Sequence, residues 1–377
     1  MSTPPAPDIT AFLADRAAAV DASGIRKVFD LAANVKDPIN FSIGQPDYDV
    51  PEPVKRAAID AITRGDNGYT VTQGIAPLRE RITAELHTEL GVDAKVLITA
   101  GVSGGLLLTL LACVNPGDEV IFLDPYFVSY RHLVNLVGGK PVMVSNYPDF
   151  GFPAEKVAAA ITDRTKLLLV NSPSNPTGAV LSEADLKSAA DLARKHNLLL
   201  VTDEIYGELS FDGPCPGLVP LAPERTLLLR GFSKSHGMTG WRLGYAAGPD
   251  RLIDEMTKLQ QYTFVCAPSI VQHAGLAAMD HAITEHVNTY RRKRDLICDE
   301  LAGTFRFTRP SGGFYVFPET PDTFPHATVF VEEAIRRNVL IIPGKVFSEQ
   351  DTHFRISYAT DDESIRRGCA LLRELAR

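Results

Sequence analysis

Cysteine is scarce in this chain of 377 residues, and the few cysteines form no pattern. Cys113, Cys215, Cys266, Cys298 and Cys369 are odd in number, far apart and without a CxxC pair. That spacing argues against a disulfide frame or a zinc site and reads as reduced thiols in a cytosolic protein. Long apolar runs are lacking too. Leu106–Val114 is too short to span a bilayer and is interrupted by Thr109. The N-terminal STPPAPDIT has no basic start followed by an apolar core, so it reads as an arm rather than a secretory signal. Basic charge is in the minority: 38 Lys and Arg against 46 Asp and Glu leave a net charge of -8. With both signs interspersed and no basic stripe, nucleic acid and membrane are poor partners.

Catalytic signatures are missing as well. There is no GxSxG and no HExxH, and Gly231, three residues before Lys234, rules out S-x-x-K there. No set of residues suggests a metal. What is present is an ordinary soluble balance, 45% hydrophobic and 22% charged, on a chain long enough for a large domain and a smaller one.

From about Lys95 to Gly248, strand-like and helix-like segments alternate. Val96–Thr99, Val120–Leu123, Val142–Val144, Lys166–Val170, Leu198–Val201 and Thr226–Leu229 read as strands. Lys166–Val170 is nearly all apolar, as a strand buried on both faces must be. Ser182 with Asp185 reads as a helix cap, followed by an apolar stripe at Leu186, Ala190 and Ala193 and a stop at Asn197. Such alternation predicts an α/β fold with a mainly parallel sheet and helices on both faces. After about Arg251 the pattern changes to long helices and short strands. This reads as a smaller α+β domain, with residues 1–43 packing onto it.

Three apolar runs end in polar clusters: SNPTG at Ser174–Gly178, TDEIY at Thr202–Tyr206, and GFSKSHG around Lys234. Open α/β sheets bind ligands beyond the carboxyl ends of their strands. Singly, each cluster has an ordinary reading as a turn, a surface acidic pair or a solvated lysine. Together they offer an amide at Asn175, a carboxylate at Asp203, a phenol at Tyr206 and an amine at Lys234. Asp203 and Glu204 face opposite ways on a strand, so only one enters a site. A carboxylate low in that crevice needs a cation, which a protonated ring nitrogen supplies. A partly desolvated Lys234 can form a Schiff base. AGVSGG at Ala100–Gly105 joins a strand to a helix and, with Ser103 and Arg242, suits a phosphate. It is neither a Walker loop nor GxGxxG. His236 reads as a loop residue at the mouth of the site.

These motifs, in this order from about Asn40 to Ala359, resemble the fold-type I pyridoxal-phosphate-dependent aminotransferases of class I/II, the aspartate-aminotransferase-like group. The resemblance implies a seven-stranded-type sheet in a large cofactor domain, residues 44–260. It implies an arm at 1–43 and a connecting helix with a small domain at 261–377. It assigns Lys234 to the aldehyde of pyridoxal 5'-phosphate, Asp203 to its pyridine nitrogen, and Asn175 and Tyr206 to its phenolic oxygen. Val102, Ser103 and Arg242 would hold the phosphate, with Tyr69 reaching across from the partner subunit of a homodimer. In FSIGQPD, Gly44 would line the substrate side; in DPYFVSY, Phe127 would stack on the ring; in FRISYA, Arg355 would grip the α-carboxylate.

Some residues depart from the family pattern. Gly231 stands where many relatives carry a phosphate-binding serine, so that contact is lost or passes to Ser233. Gln260–Ser269 offers no arginine where acid-specific relatives bind a distal carboxylate. The implied activity moves an amino group between an L-amino acid and a 2-oxo acid such as 2-oxoglutarate. A carbon–sulfur β-lyase and a non-catalytic cofactor-binding regulator are the alternatives. Ile25, Ile43 and Tyr262 would make an apolar side-chain pocket for aromatic or other neutral donors, whereas Arg26 or Lys27 would suit an acidic one.

Overall fold

The computed structural model describes residues 8–18, 20 and 36–377. Ile25, Arg26 and Lys27 lie outside the described residues. In chain order the strands are β1 (Ile39–Asn40), β2 (Lys95–Ala100), β3 (Glu119–Asp124), β4 (Lys140–Ser145), β5 (Thr165–Asn171), β6 (Leu199–Asp203), β7 (Thr226–Gly231) and β8 (Leu243–Gly248). They continue with β9 (Tyr315–Val316), β10 (Val339–Leu340), β11 (Ile342–Pro343) and β12 (Phe354–Ser357).

Seven of them form one sheet in the order β2-β8-β7-β6-β5-β3-β4. β8 runs antiparallel to both its neighbours, and the other pairings are parallel. Side-chain alternation divides the apolar residues between the two faces. Leu97, Val120, Phe122, Leu167, Leu169, Val201, Leu227 and Leu229 join one buried cluster with helix Gly101–Cys113. Ile121, Leu168, Val170 and Leu200 point the other way, onto Leu186, Ala189, Ala190 and Ala193 of helix Glu183–Lys195. On that second face Val96, Ile98 and Leu228 meet Leu78, Ile82, Ala274 and Ala278. Every strand of this sheet except the edge strand β4 is largely buried on both sides, which accounts for the near-continuous apolar runs.

Helix Glu183–Lys195 starts on a full capping box. The Ser182 hydroxyl accepts from Asp185 N at 3.1 Å, and the Asp185 carboxylate accepts from Ser182 N at 3.0 Å. A cap of this kind is worth about 1 kcal/mol. The helix ends at Lys195, just before Asn197 with φ 51°.

The N- and C-terminal segments share a separate core. Ile39 and Phe41 pack with Phe314, Phe330, Phe354, Tyr358 and Leu372. β1 pairs in parallel with β10, and β12 lies antiparallel between β11 and β9. Gly368 of helix Asp362–Ala376 is needed for this docking, since a Cβ there would come within 2.3 Å of the Phe41 ring. The architecture is a large α/β domain plus a smaller domain built from both termini. No helix among the described residues is long and apolar enough to cross a membrane.

Candidate active site

β2, β3, β5, β6 and β7 all point the same way, and their carboxyl ends open on one cavity of about 270 Å³. Gly44, Val102, Ser103, Phe127, Asn175, Asp203, Tyr206, Ser233, Lys234, Arg242 and Arg355 line it. Sequence reasoning named all of these. It missed Tyr130, Asn171, Ile205, Thr239 and Tyr315, which line it as well. Tyr69 is 86% exposed and outside the lining.

Lys234 lies in the single turn Phe232–Ser235 that follows β7. Its ammonium donates to the Gly44 carbonyl. The Tyr48 hydroxyl lies 2.7 Å from the Lys234 carbonyl and 2.9 Å from that of Ser235. The loop carrying Gly44 and Tyr48 therefore touches both ends of the lysine. Burial, reinforced by the charges of Arg355 and Arg242 and opposed by Asp203, lowers the ammonium to about 8.

Asp203 ends β6, opposite Asn171 of β5. One carboxylate oxygen accepts from the Tyr130 hydroxyl at 2.6 Å, the other from Ile205 N at 3.2 Å. Burial pushes the carboxyl up to about 6 against these two hydrogen bonds, which pull it down. Glu204 faces the opposite side. Arg230 donates to it at 2.8 and 3.0 Å and forks onto Glu89 at 2.7 and 2.9 Å. The strand stops at Asp203, and the turn beyond it brings Tyr206 back to the Asp203 side. The Tyr206 hydroxyl lies 3.1 Å from that of Tyr315.

Helix Gly101–Cys113 opens with Gly101 at φ 70°. A Cβ there would lie 2.7 Å from the Arg242 guanidinium, so the missing side chain is where the arginine crosses the helix start. Backbone N–H groups and a guanidinium meeting at one helix N-terminus form a phosphate-sized anion cup. Gly231 has a packing reason: its Cβ would sit 3.0 Å from Gly244 Cα and from the Leu243 carbonyl. Ser233, two residues on, is buried and lines the cavity.

Arg355 on β12 is 1% exposed. It donates to Asn175 Oδ1 at 3.1 Å and to the Ser42 carbonyl at 2.8 Å, while its Nε is buried without a partner. Tyr315 and Phe347 sandwich the guanidinium at 4.5 and 4.6 Å. Phe127 meets Tyr130 edge to face at 5.6 Å.

Three expectations change. His236 is buried rather than at the mouth: its ring bonds Ser235 Oγ at 2.8 Å and approaches the His281 carbonyl at 3.3 Å. Ile43 and Tyr262 do not line the cavity, and Tyr262 is 85% exposed.

Lys234, Arg242 and Arg355 face a single carboxylate, and none of the three is ion-paired at short range among the described residues. Arg355 is buried and Lys234 partly so, while Arg242 is exposed. Three cations around one carboxylate suit the cavity to anionic ligands. The cup, the aromatic wall, the carboxylate and the amine fit the phosphate, ring, ring nitrogen and aldehyde of pyridoxal phosphate. No group of three or more His, Cys, Asp or Glu able to hold a metal occurs among the described residues.

Known proteins identify the family. The sequence profile of the family "Aminotransferase class I and II" matches residues 36–372. The aspartate/prephenate aminotransferase of Thermus thermophilus is 39% identical, covering 90% of this chain and 91% of its own length. The aromatic-amino-acid aminotransferase 2 of Thermococcus litoralis is 36% identical, with 94% and 95% covered. Among solved structures, the Thermus thermophilus aspartate aminotransferase with maleate superimposes with a TM-score of 0.92 at 36% identity over 96% of this chain and 99% of that one. The aromatic aminotransferase of Pyrococcus horikoshii gives 0.87 at 34% identity, with 92% and 98% covered. The chain therefore belongs to the class I and II aminotransferases, the pyridoxal-phosphate-dependent enzymes that exchange amino groups between amino acids and 2-oxo acids.

Proposed function

We propose that this aminotransferase prefers neutral or aromatic L-amino acid donors and works through Lys234, Asp203 and Arg355. Their convergence on one cavity is the observation that carries the reading. Bound pyridoxal phosphate supplies an electron sink for the pair left when the Cα–H bond of the amino acid breaks. The protein positions and protonates. Arg355 forks onto the α-carboxylate with donors already held by Asn175 and Ser42, and so aims the Cα–H bond. Lys234 Nζ, its ammonium lowered to about 8 by burial, would hold the aldehyde at rest and serve as the base for the Cα proton. Asp203 would keep the ring nitrogen protonated. Asn175 and Tyr206 would donate to the phenolic oxygen, Phe127 would stack on the ring, and Gly44 would border the substrate. Val102 and Ser103 N–H groups, Ser233 and Arg242 would hold the phosphate.

The donor preference rests on a charge count. With Arg355 on the α-carboxylate, Arg242 on phosphate and Lys234 on the aldehyde, the described lining has no cation left for a distal carboxylate. A homodimer fits the surface. Tyr69, Val71, Tyr262 and Val265 are exposed, and Gln260 Nε2 donates to the Thr72 carbonyl at 2.7 Å, tying the two segments together. Tyr69 would reach the neighbouring subunit's phosphate.

The test is a donor panel read by the spectrum of the bound cofactor. Phenylalanine or tyrosine should convert it at least tenfold faster than aspartate at equal concentration, and the Lys234→Ala protein should lack both the resting visible band and turnover. Faster conversion by aspartate would refute the donor preference. Ammonia and pyruvate released from cystathionine without a 2-oxo acid would indicate a β-lyase instead.

A further inference from the structure

Tyr315 is one of the five lining residues that sequence reasoning passed over. β9 pairs antiparallel with β12, with Tyr315 opposite Ser357 and Val316 opposite Ile356. Arg355 is two residues from Ser357, so it shares a sheet face with Tyr315, and the two stack at 4.5 Å. The strand is fixed against the SNPTG turn. A Cβ on Gly178 would come 2.7 Å from the Tyr315 carbonyl, and Ser311 N and Gly312 N both bond the Gly178 carbonyl. The Tyr315 hydroxyl is thus held 3.1 Å from that of Tyr206, both rings buried.

Two phenols share two protons, and only one proton lies in the bond between them. If Tyr206 donated to Tyr315, it would turn only lone pairs toward the cavity and repel an anionic oxygen placed there. If Tyr315 donates, the Tyr206 proton is left for the cavity. The Arg355 charge over the Tyr315 ring makes Tyr315 the better donor of the two.

We propose that Tyr315 is a positioning residue that fixes the direction of the Tyr206 proton: it donates to the Tyr206 oxygen, so that Tyr206 donates into the cavity. This rests on the reading that Tyr206 faces the cofactor's phenolic oxygen. A hydroxyl that accepts one hydrogen bond is a stronger donor of the next. Tyr315 therefore strengthens the bond Tyr206 makes to the phenolic oxygen and lowers the pH at which the bound cofactor's visible absorbance changes.

The experiment is a pH titration of that absorbance in the loaded parent, Tyr315→Phe and Tyr206→Phe proteins. Calorimetry of hexanoate binding reads Arg355 separately. Tyr206→Phe should raise the midpoint by about one unit and Tyr315→Phe by about 0.1 to 0.3 unit, the 10–30% share of a cooperative hydrogen bond. Hexanoate affinity of Tyr315→Phe should stay within about twofold of the parent, because the ring under Arg355 is kept. A midpoint that moves in Tyr206→Phe but not in Tyr315→Phe overturns the proposal and leaves the Tyr206 reading standing. No movement in either overturns both. A loss of hexanoate affinity beyond about twofold makes Tyr315 a structural support and also overturns the proposal.

Discussion

Asp203 should cost the cofactor-free protein stability at neutral pH, and the cost should vanish in acid. Its carboxyl titrates near 6 in the fold against 3.8 ordinarily. Between those values the folded state binds more protons than the unfolded one, so this group's contribution to stability falls as pH rises and levels off above 6. At about 1.36 kcal/mol per unit, the shift amounts to about 3 kcal/mol by pH 8. Asp203→Asn removes that ionisation. It also loses one of two accepted hydrogen bonds, since an amide offers one oxygen where Tyr130 and Ile205 N each need an acceptor. That loss is worth about 1 kcal/mol. The net expectation is a cofactor-free variant about 2 kcal/mol more stable than the parent at pH 8. The advantage should shrink by about 1.4 kcal/mol at pH 5, where the parent carboxyl is mostly neutral. Urea unfolding at both pH values and one fixed protein concentration measures this, while the loaded variant should turn over at least a hundredfold more slowly. A stability difference independent of pH would refute the reasoning, because nothing else in the substitution titrates there.

Two further outcomes follow from the same geometry. Arg355→Lys exchanges a sandwiched two-pronged donor for a point charge and should lower kcat/KM about 10- to 100-fold through one lost charge-assisted hydrogen bond, which steady-state kinetics on a neutral donor would show. Gly101→Ala places a Cβ 2.7 Å from the Arg242 guanidinium at a φ of 70°, so cofactor affinity should fall about tenfold or more in an absorbance titration; unchanged affinity would remove Arg242 from the phosphate cup.

The sheet was legible because its inner strands are buried on both faces and write themselves as apolar runs. The lining read from motifs was legible because strand ends put short polar clusters at one edge. Asp203 over Glu204 needed more than periodicity, which says only that the two diverge; the choice depends on Arg230 and Glu89, which are distant in sequence. Tyr130 and Tyr315 escaped for a related reason. Tyr130 sits three residues past Phe127 inside a quoted motif, but its partner is 73 residues away. Tyr315 owes its role to the register of β9 against β12, and no local pattern encodes that pairing. Its place on the same sheet face as Arg355 emerges only once β9 and β12 are paired. His236 read as a loop residue because it sits in a polar cluster after a strand, yet its ring meets Ser235 Oγ and the distant His281 carbonyl.

The back-to-back carboxylates at the end of β6 also act on folding fidelity. A slip of one residue along this strand would turn Glu204 into the cavity in place of Asp203. It would move the Asp203 carboxylate to the other face, one slot short of the position from which Glu204 meets Arg230, and leave Arg230 with Glu89 alone. The carboxylate proposed to serve the cofactor thus also favours a single alignment of the central strand.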